Sequence, residues 1–83
     1  MELKNKYEDY TEAEFTQLVT EIFTVEGSEA YQDELLENFI AVSEHPNGSD
    51  LIYYNQDENI TPRKVVEEIK NWRADNNKSS FRS

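Results

Sequence analysis

His45 is the only histidine in this 83-residue chain, and cysteine is absent. That removes a thiol nucleophile, a thiolate metal set and any disulfide staple. Glu44-His45 with Asp50 nearby has the composition of a carboxylate–imidazole pair. The competing reading, preferred here, is a histidine at a helix C-terminus, where its charged form meets the helix dipole favourably. Asp50, Asp57 and Glu58 invite a calcium reading. Their spacing is not that of an EF-hand loop, which needs alternating oxygen ligands, a central glycine and a terminal glutamate. The serines stand in no motif, and two glycines in the whole chain cannot build a phosphate-cradling loop. The expectation is therefore no catalytic residue, no metal and no cofactor: a binding protein rather than an enzyme.

Binding chemistry is better represented. Tyr53 and Tyr54 are adjacent, so on one helical turn they point about 100° apart and cannot share a core slot. Leu51 and Ile52 already anchor that turn. At least one tyrosine is then exposed, either as an interface anchor or as a partly buried surface turn, with the Asp50 carboxylate close by. A second surface lies further back. Leu36 and Ile40 fall roughly 100–140° from Leu35 on a helical wheel, framed by Glu29, Asp33 and Glu37.

Charge sharpens the picture. The net charge is −10, and no Lys or Arg occurs from Tyr7 to Pro62, a stretch that carries 14 of the 18 acids. The bases are confined to the two ends. A nucleic-acid binder needs a basic surface and is excluded. A basic protein partner, or solubility alone, remains. No apolar run nears the roughly 20 residues of a membrane span, and the first nine residues lack the apolar core of a signal peptide. A soluble, cytoplasmic protein without membrane contact is expected.

The positioning elements follow from periodicity and caps. Thr11 with Glu14 forms a capping box, flanked by Tyr10 and Phe15 at staple spacing. Phe15, Leu18, Val19 and Ile22 then recur at helical intervals, and Gly27 stops this helix. Ser28 caps a second helix running to about Ser43, short of Pro46, with Tyr31, Leu35, Phe39 and Val42 as its core face. Ser49 caps a short third turn over Asp50 to Tyr54, preferred to a strand because no second strand exists to pair with it. Residues 55–59 form a polar loop. Thr61-Pro62 opens the last helix, with Val65, Val66, Ile69 and Trp72 as its apolar face. Asn76 and Asn77 end it, since Asn tolerates left-handed geometry. Glu67, Glu68 and Lys70 form a solvated face, and Phe81 in the tail can fold back. The reading is all-α: a small four-helix bundle with a very short third helix, in one domain spanning residues 1–83.

Three segments carry a resemblance. Met1-Glu2-Leu3-Lys4, Asp9 to Phe15, and Glu44-His45-Pro46-Asn47-Gly48-Ser49-Asp50-Leu51-Ile52-Tyr53-Tyr54 closely resemble the immunity proteins of nuclease bacteriocins, the inhibitors paired with DNase-type E-group colicins and S-type pyocins. Trp72-Arg73-Ala74 and the Lys78…Phe81 tail are similar to the family's C-terminus. The resemblance implies a four-helix domain made together with its toxin. It also implies that the domain binds the toxin's nuclease domain beside the catalytic cleft and keeps DNA out by overlap and negative charge. By the same resemblance, Asp50, Tyr53 and Tyr54 are the shared anchor. Asp33, Leu36, Glu37 and Ile40 select the partner, with Glu29 and Gln32 at the N-terminal edge of that face. The free protein is expected to be a monomer, released from the cell in complex with the toxin. Asn55 stands where the family commonly has proline, and Asn77 where it has glycine. Lys6-Tyr7-Glu8 and the Ser79 to Ser83 end also differ. These departures bear on which toxin is cognate rather than on the fold. A different class of function, a small acidic helical adaptor for another basic protein, is the alternative.

Overall fold

The computed structural model describes residues 3–24, 27–46, 48, 50–53 and 59–82, with Tyr53 described by its backbone alone. Four helices carry the chain: α1 (Glu12–Thr24), α2 (Glu29–Ser43), α3 (Asp50–Tyr53) and α4 (Pro62–Asp75), and no strand occurs among the described residues.

Each long helix begins where a side chain caps it. The Thr11 amide donates to Glu14 Oε1 at 2.9 Å and the Glu14 amide donates to Thr11 Oγ1 at 3.1 Å, so two orphan donors are satisfied reciprocally. The Thr11 amide holds the Glu14 carboxyl below the usual carboxylate range. Ser28 Oγ accepts the Tyr31 amide at 3.1 Å at the start of α2. Thr61 Oγ1 accepts the Lys64 amide at 3.2 Å, with Pro62 at the first helical position, where its missing N–H costs nothing.

The ends are equally local. Glu44 closes α2 in left-handed geometry, φ 59°, its amide returning to the Ile40 carbonyl at 3.3 Å. Beyond α4, Asn77 is left-handed at φ 57°. Its amide donates to the Ala74 carbonyl and that of Lys78 to the Arg73 carbonyl, the paired bonds of a Schellman ending.

Phe15, Leu18, Val19 and Ile22 of α1 are sealed against Leu35, Phe39 and Val42 of α2 and Val65, Val66 and Ile69 of α4. Tyr31 is half-buried at the edge of that core. The aromatic layer runs further than periodicity indicates. A single 3-10 turn, Tyr7–Asp9, buries the Tyr7 ring, and Phe81 returns from the tail to stack on it at 4.2 Å between centroids. Tyr10 is wholly buried, with its hydroxyl donating to Asn38 Oδ1 and accepting from the Lys4 amide.

Two expectations need correction. Trp72 is half-buried rather than in the sealed core, and its neighbour Arg73 is the buried residue. At His45, burial disfavours the charged form that a helix C-terminus is expected to favour. The left-handed Glu44 turns the chain, and the imidazole is buried against the Trp72 ring at 4.9 Å. Among the described residues, no helix is long and apolar enough to cross a membrane.

Candidate functional site

The expected binding face is assembled from α2 and the turn leading into α3. Along α2, Glu29, Asp33 and Glu37 are exposed, Leu36 is half-buried against the core, and Ile40 is 40% exposed. Ile40 is the one large hydrophobic side chain left open among the described residues. Covering the exposed part contributes on the order of 1 kcal/mol. Gln32, at the N-terminal edge, is half-buried, and its side-chain amide donates to the Glu21 carbonyl at 3.3 Å.

Gly48 joins this stripe to α3. It is left-handed at φ 39°, and a side chain built there would begin 3.6 Å from Ile40 Cγ1. Its amide donates to the His45 carbonyl at 3.0 Å, and the Leu51 amide donates to the Gly48 carbonyl at 3.2 Å. Leu51 is buried and Ile52 packs on the core, which leaves Asp50 exposed as the first residue of α3. The helical turn preferred over a strand is thus observed. Tyr53 ends α3. Its side chain, Tyr54, the expected cap Ser49, and the loop 55–58 with Asp57 and Glu58 lie outside the described residues. Gly48, which packs on Ile40 and opens the turn into α3, is the link between the two segments that sequence spacing did not identify.

The buried imidazole of His45 predicts a pH-dependent stability. Burial pushes the imidazole pKa below its ordinary 6.5, with the Glu68 charge opposing. The unfolded chain titrates near 6.5, so between that value and the lowered folded one it binds more protons than the native state. Stability from this group is complete above about pH 6.5 and falls as pH drops toward the folded pKa. Urea unfolding between about pH 7.5 and 5 should show this slope, with most carboxylates still charged. His45→Gln should flatten it. A slope that survives in the variant assigns the pH dependence to other groups.

Arg73 was not recognised as structural from its spacing. Its guanidinium donates to the Val42 and Ser43 carbonyls at 3.3 and 3.1 Å, to Glu44 Oε1 at 3.0 Å, and to Ser79 Oγ at 2.9 Å, while Nε donates to the Ser79 carbonyl. The guanidinium carbon also stands 3.9 Å from the Tyr7 ring centroid. The bond from Arg73, with Lys78 adding charge, holds the Glu44 carboxyl below the usual range. Burial pushes the Tyr7 phenol up to about 12 despite the opposing Arg73 charge. A cleft of about 280 Å³ borders Tyr7 and Arg73, but this cation is already committed to the carbonyls that end α2 and to the tail. Lys70 pairs with Glu12 and Lys78 with Glu44, so these bases too are answered within the chain. No cluster of three metal-ligating side chains occurs among the described residues.

A family model described as colicin immunity protein / pyocin immunity protein matches residues 7–75. The pyocin S1 and pyocin S2 immunity proteins of Pseudomonas aeruginosa are each 38% identical over 87 aligned positions, covering 98% of this chain and 99% of the relative. A chain in the crystal structure of the pyocin AP41 DNase–immunity complex matches with TM-score 0.86 and 36% identity, covering 96% of this chain and 99% of that one. A chain in the structure of the mutant nuclease domain of pyocin S8 with its cognate immunity protein matches with TM-score 0.87 and 36% identity, covering 96% and 100%.

Proposed function

Because this chain belongs to the colicin and pyocin immunity-protein family, we propose that it is the stoichiometric inhibitor of a bacteriocin nuclease. It binds the nuclease domain of its cognate toxin beside the active site and excludes DNA by overlap and negative charge. The observation that carries this reading is the open Ile40 side chain packed beside Gly48, on the helix that also exposes Glu37, Asp33 and, further toward its start, Glu29. An apolar centre rimmed by carboxylates suits a basic protein surface, and a net charge of −10 attracts such a partner over long range. The nuclease cleft must itself be basic to hold DNA, so the attraction has a chemical origin.

In this reading the site is Glu29, Gln32, Asp33, Leu36, Glu37, Ile40, Asp50, Tyr53 and Tyr54. The tyrosines with Asp50 supply the anchor, and the α2 stripe discriminates among related nucleases. The protein acts as one domain, monomeric when free, in the cytoplasm of the producing cell, and leaves with the toxin.

Tyr53→Ala and Tyr54→Ala test the anchor. Each is expected to weaken binding by about 2 kcal/mol or more while the far-UV signal stays native, because a large ring at an interface centre dominates its energetics. Titration against nuclease domains, read as dissociation constants and as residual DNA cleavage, measures both the inhibition and the loss. Two alanine variants that bind like wild type would remove α3 from the site.

A further inference from the structure

The last turn of α1 meets the first turns of α2 in a polar cluster outside the residues assigned above, apart from Gln32. Glu21 Oε1 accepts the Tyr31 hydroxyl at 2.9 Å, and the Gln32 amide donates to the Glu21 carbonyl. Glu21 Oε2 is closed off from solvent and has no hydrogen-bond partner; it is the one buried side-chain polar atom in that condition among the described residues. A carboxylate oxygen held out of water without a donor is unfavourable, so such an atom requires an explanation.

No internal cation is near in sequence, because the chain has no Lys or Arg from Tyr7 to Pro62. Lys70, Arg73 and Lys78 are engaged with Glu12 and Glu44, at the start of α1 and the end of α2. The contrast with other carboxylates is direct: Glu14 has a backbone amide and Glu44 has two cations. Glu21 has a hydroxyl on one oxygen only. The cluster nevertheless lies at the surface. Glu21, Tyr31 and Gln32 are half-buried, and Gly27 and Ser28 beside them are exposed.

We propose that Glu21 is a further partner-contacting and specificity-determining residue, whose carboxylate receives a guanidinium or ammonium group of the bound nuclease at the N-terminal edge of the α2 face. The inference rests on the reading of this chain as a nuclease inhibitor. Tyr31 stays on one oxygen and the incoming cation takes the other, so both are satisfied only in the complex. A nuclease without a base at that point leaves the carboxylate covered and unpaired, which penalises the wrong partner.

The test compares wild type, Glu21→Gln and Tyr31→Phe. Binding kinetics are measured against a panel of colicin and pyocin DNase domains that includes those of pyocins AP41 and S8, with thermal melts of the free proteins. Glu21→Gln should dissociate at least about tenfold faster from the tightest of these partners, since a charge-assisted bond is lost. The free variant should melt no lower than wild type, because the unpaired charge is gone. Tyr31→Phe should keep the affinity, as the carboxylate still faces the partner. The proposal is overturned if Glu21→Gln binds like wild type, or if its affinity and melting temperature fall together. It is also overturned if Tyr31→Phe weakens the complex as much, which would make the cluster an internal brace. Wild type that binds no nuclease of the panel overturns the inhibitor reading itself, and this inference with it.

Discussion

Replacing Asp33, Leu36, Glu37 and Ile40 with their counterparts from the pyocin S8 immunity protein is expected to shift preference toward the pyocin S8 nuclease by about three orders of magnitude. The four positions stand at i, i+3, i+4 and i+7, so they share one side of α2. None belongs to the sealed core formed by Leu35, Phe39 and Val42. The swap should therefore leave the fold intact. On the proposed reading, discrimination is expected from misfit: a wrong partner would leave Asp33 or Glu37 desolvated without a basic mate, or set a polar group against Leu36 or Ile40. Each misfit costs roughly 1–3 kcal/mol, and a total of about 4 kcal/mol is a factor of about a thousand. Neighbouring positions couple, so the four belong in one variant rather than in a sum of singles. The readout is the ratio of dissociation constants for the original and the pyocin S8 nuclease domains. A ratio that barely moves while the helical signal stays native would put the specificity face elsewhere on the domain.

The largest stability effect is expected at Arg73. Arg73→Met keeps much of the aliphatic volume but removes every donor. The Val42 and Ser43 carbonyls, which the guanidinium satisfies at the end of α2, lose a partner in a buried setting. The Ser79 carbonyl and hydroxyl lose theirs, and the Tyr7 ring loses its cation. A hydrogen bond to a charged group is worth about 1.5–3 kcal/mol, and each orphaned buried acceptor adds to the loss. A total of about 3–5 kcal/mol follows, a large part of the roughly 4–12 kcal/mol expected for a domain of this size. Denaturant unfolding measures it directly. Arg73→Lys should recover only part, because one ammonium cannot reach the donors' several directions. A loss under about 1 kcal/mol in the methionine variant would mean that water replaces the guanidinium at these carbonyls.

How much of this was legible beforehand depends on the range of the interaction. The capping box of Thr11 and Glu14, the caps Ser28 and Thr61, and the left-handed ending at Asn77 involve groups within a few residues of one another. Their geometry follows from chain connectivity and side-chain chemistry, so the sequence alone determined where the long helices begin and where the last one ends. Helical periodicity likewise determined that Phe15, Leu18, Val19, Ile22, Leu35, Phe39, Val65 and Ile69 form the core. The confinement of every base to the chain ends was visible without coordinates.

Tertiary structure alone decided what distant segments do to each other. Arg73 meets the Val42 and Ser43 carbonyls across 31 and 30 residues of sequence, and no local pattern distinguishes that arginine from a solvated one. His45 read as a charged helix-end group because the dipole is a local effect, yet packing against Trp72 removed its water and favoured the neutral form. Gly48 reached Ile40, and Tyr31 reached Glu21, only because the turns returned the chain on itself. Local bonds are encoded by neighbours in sequence, whereas burial and long-range pairing are set by which surfaces the closed chain brings together.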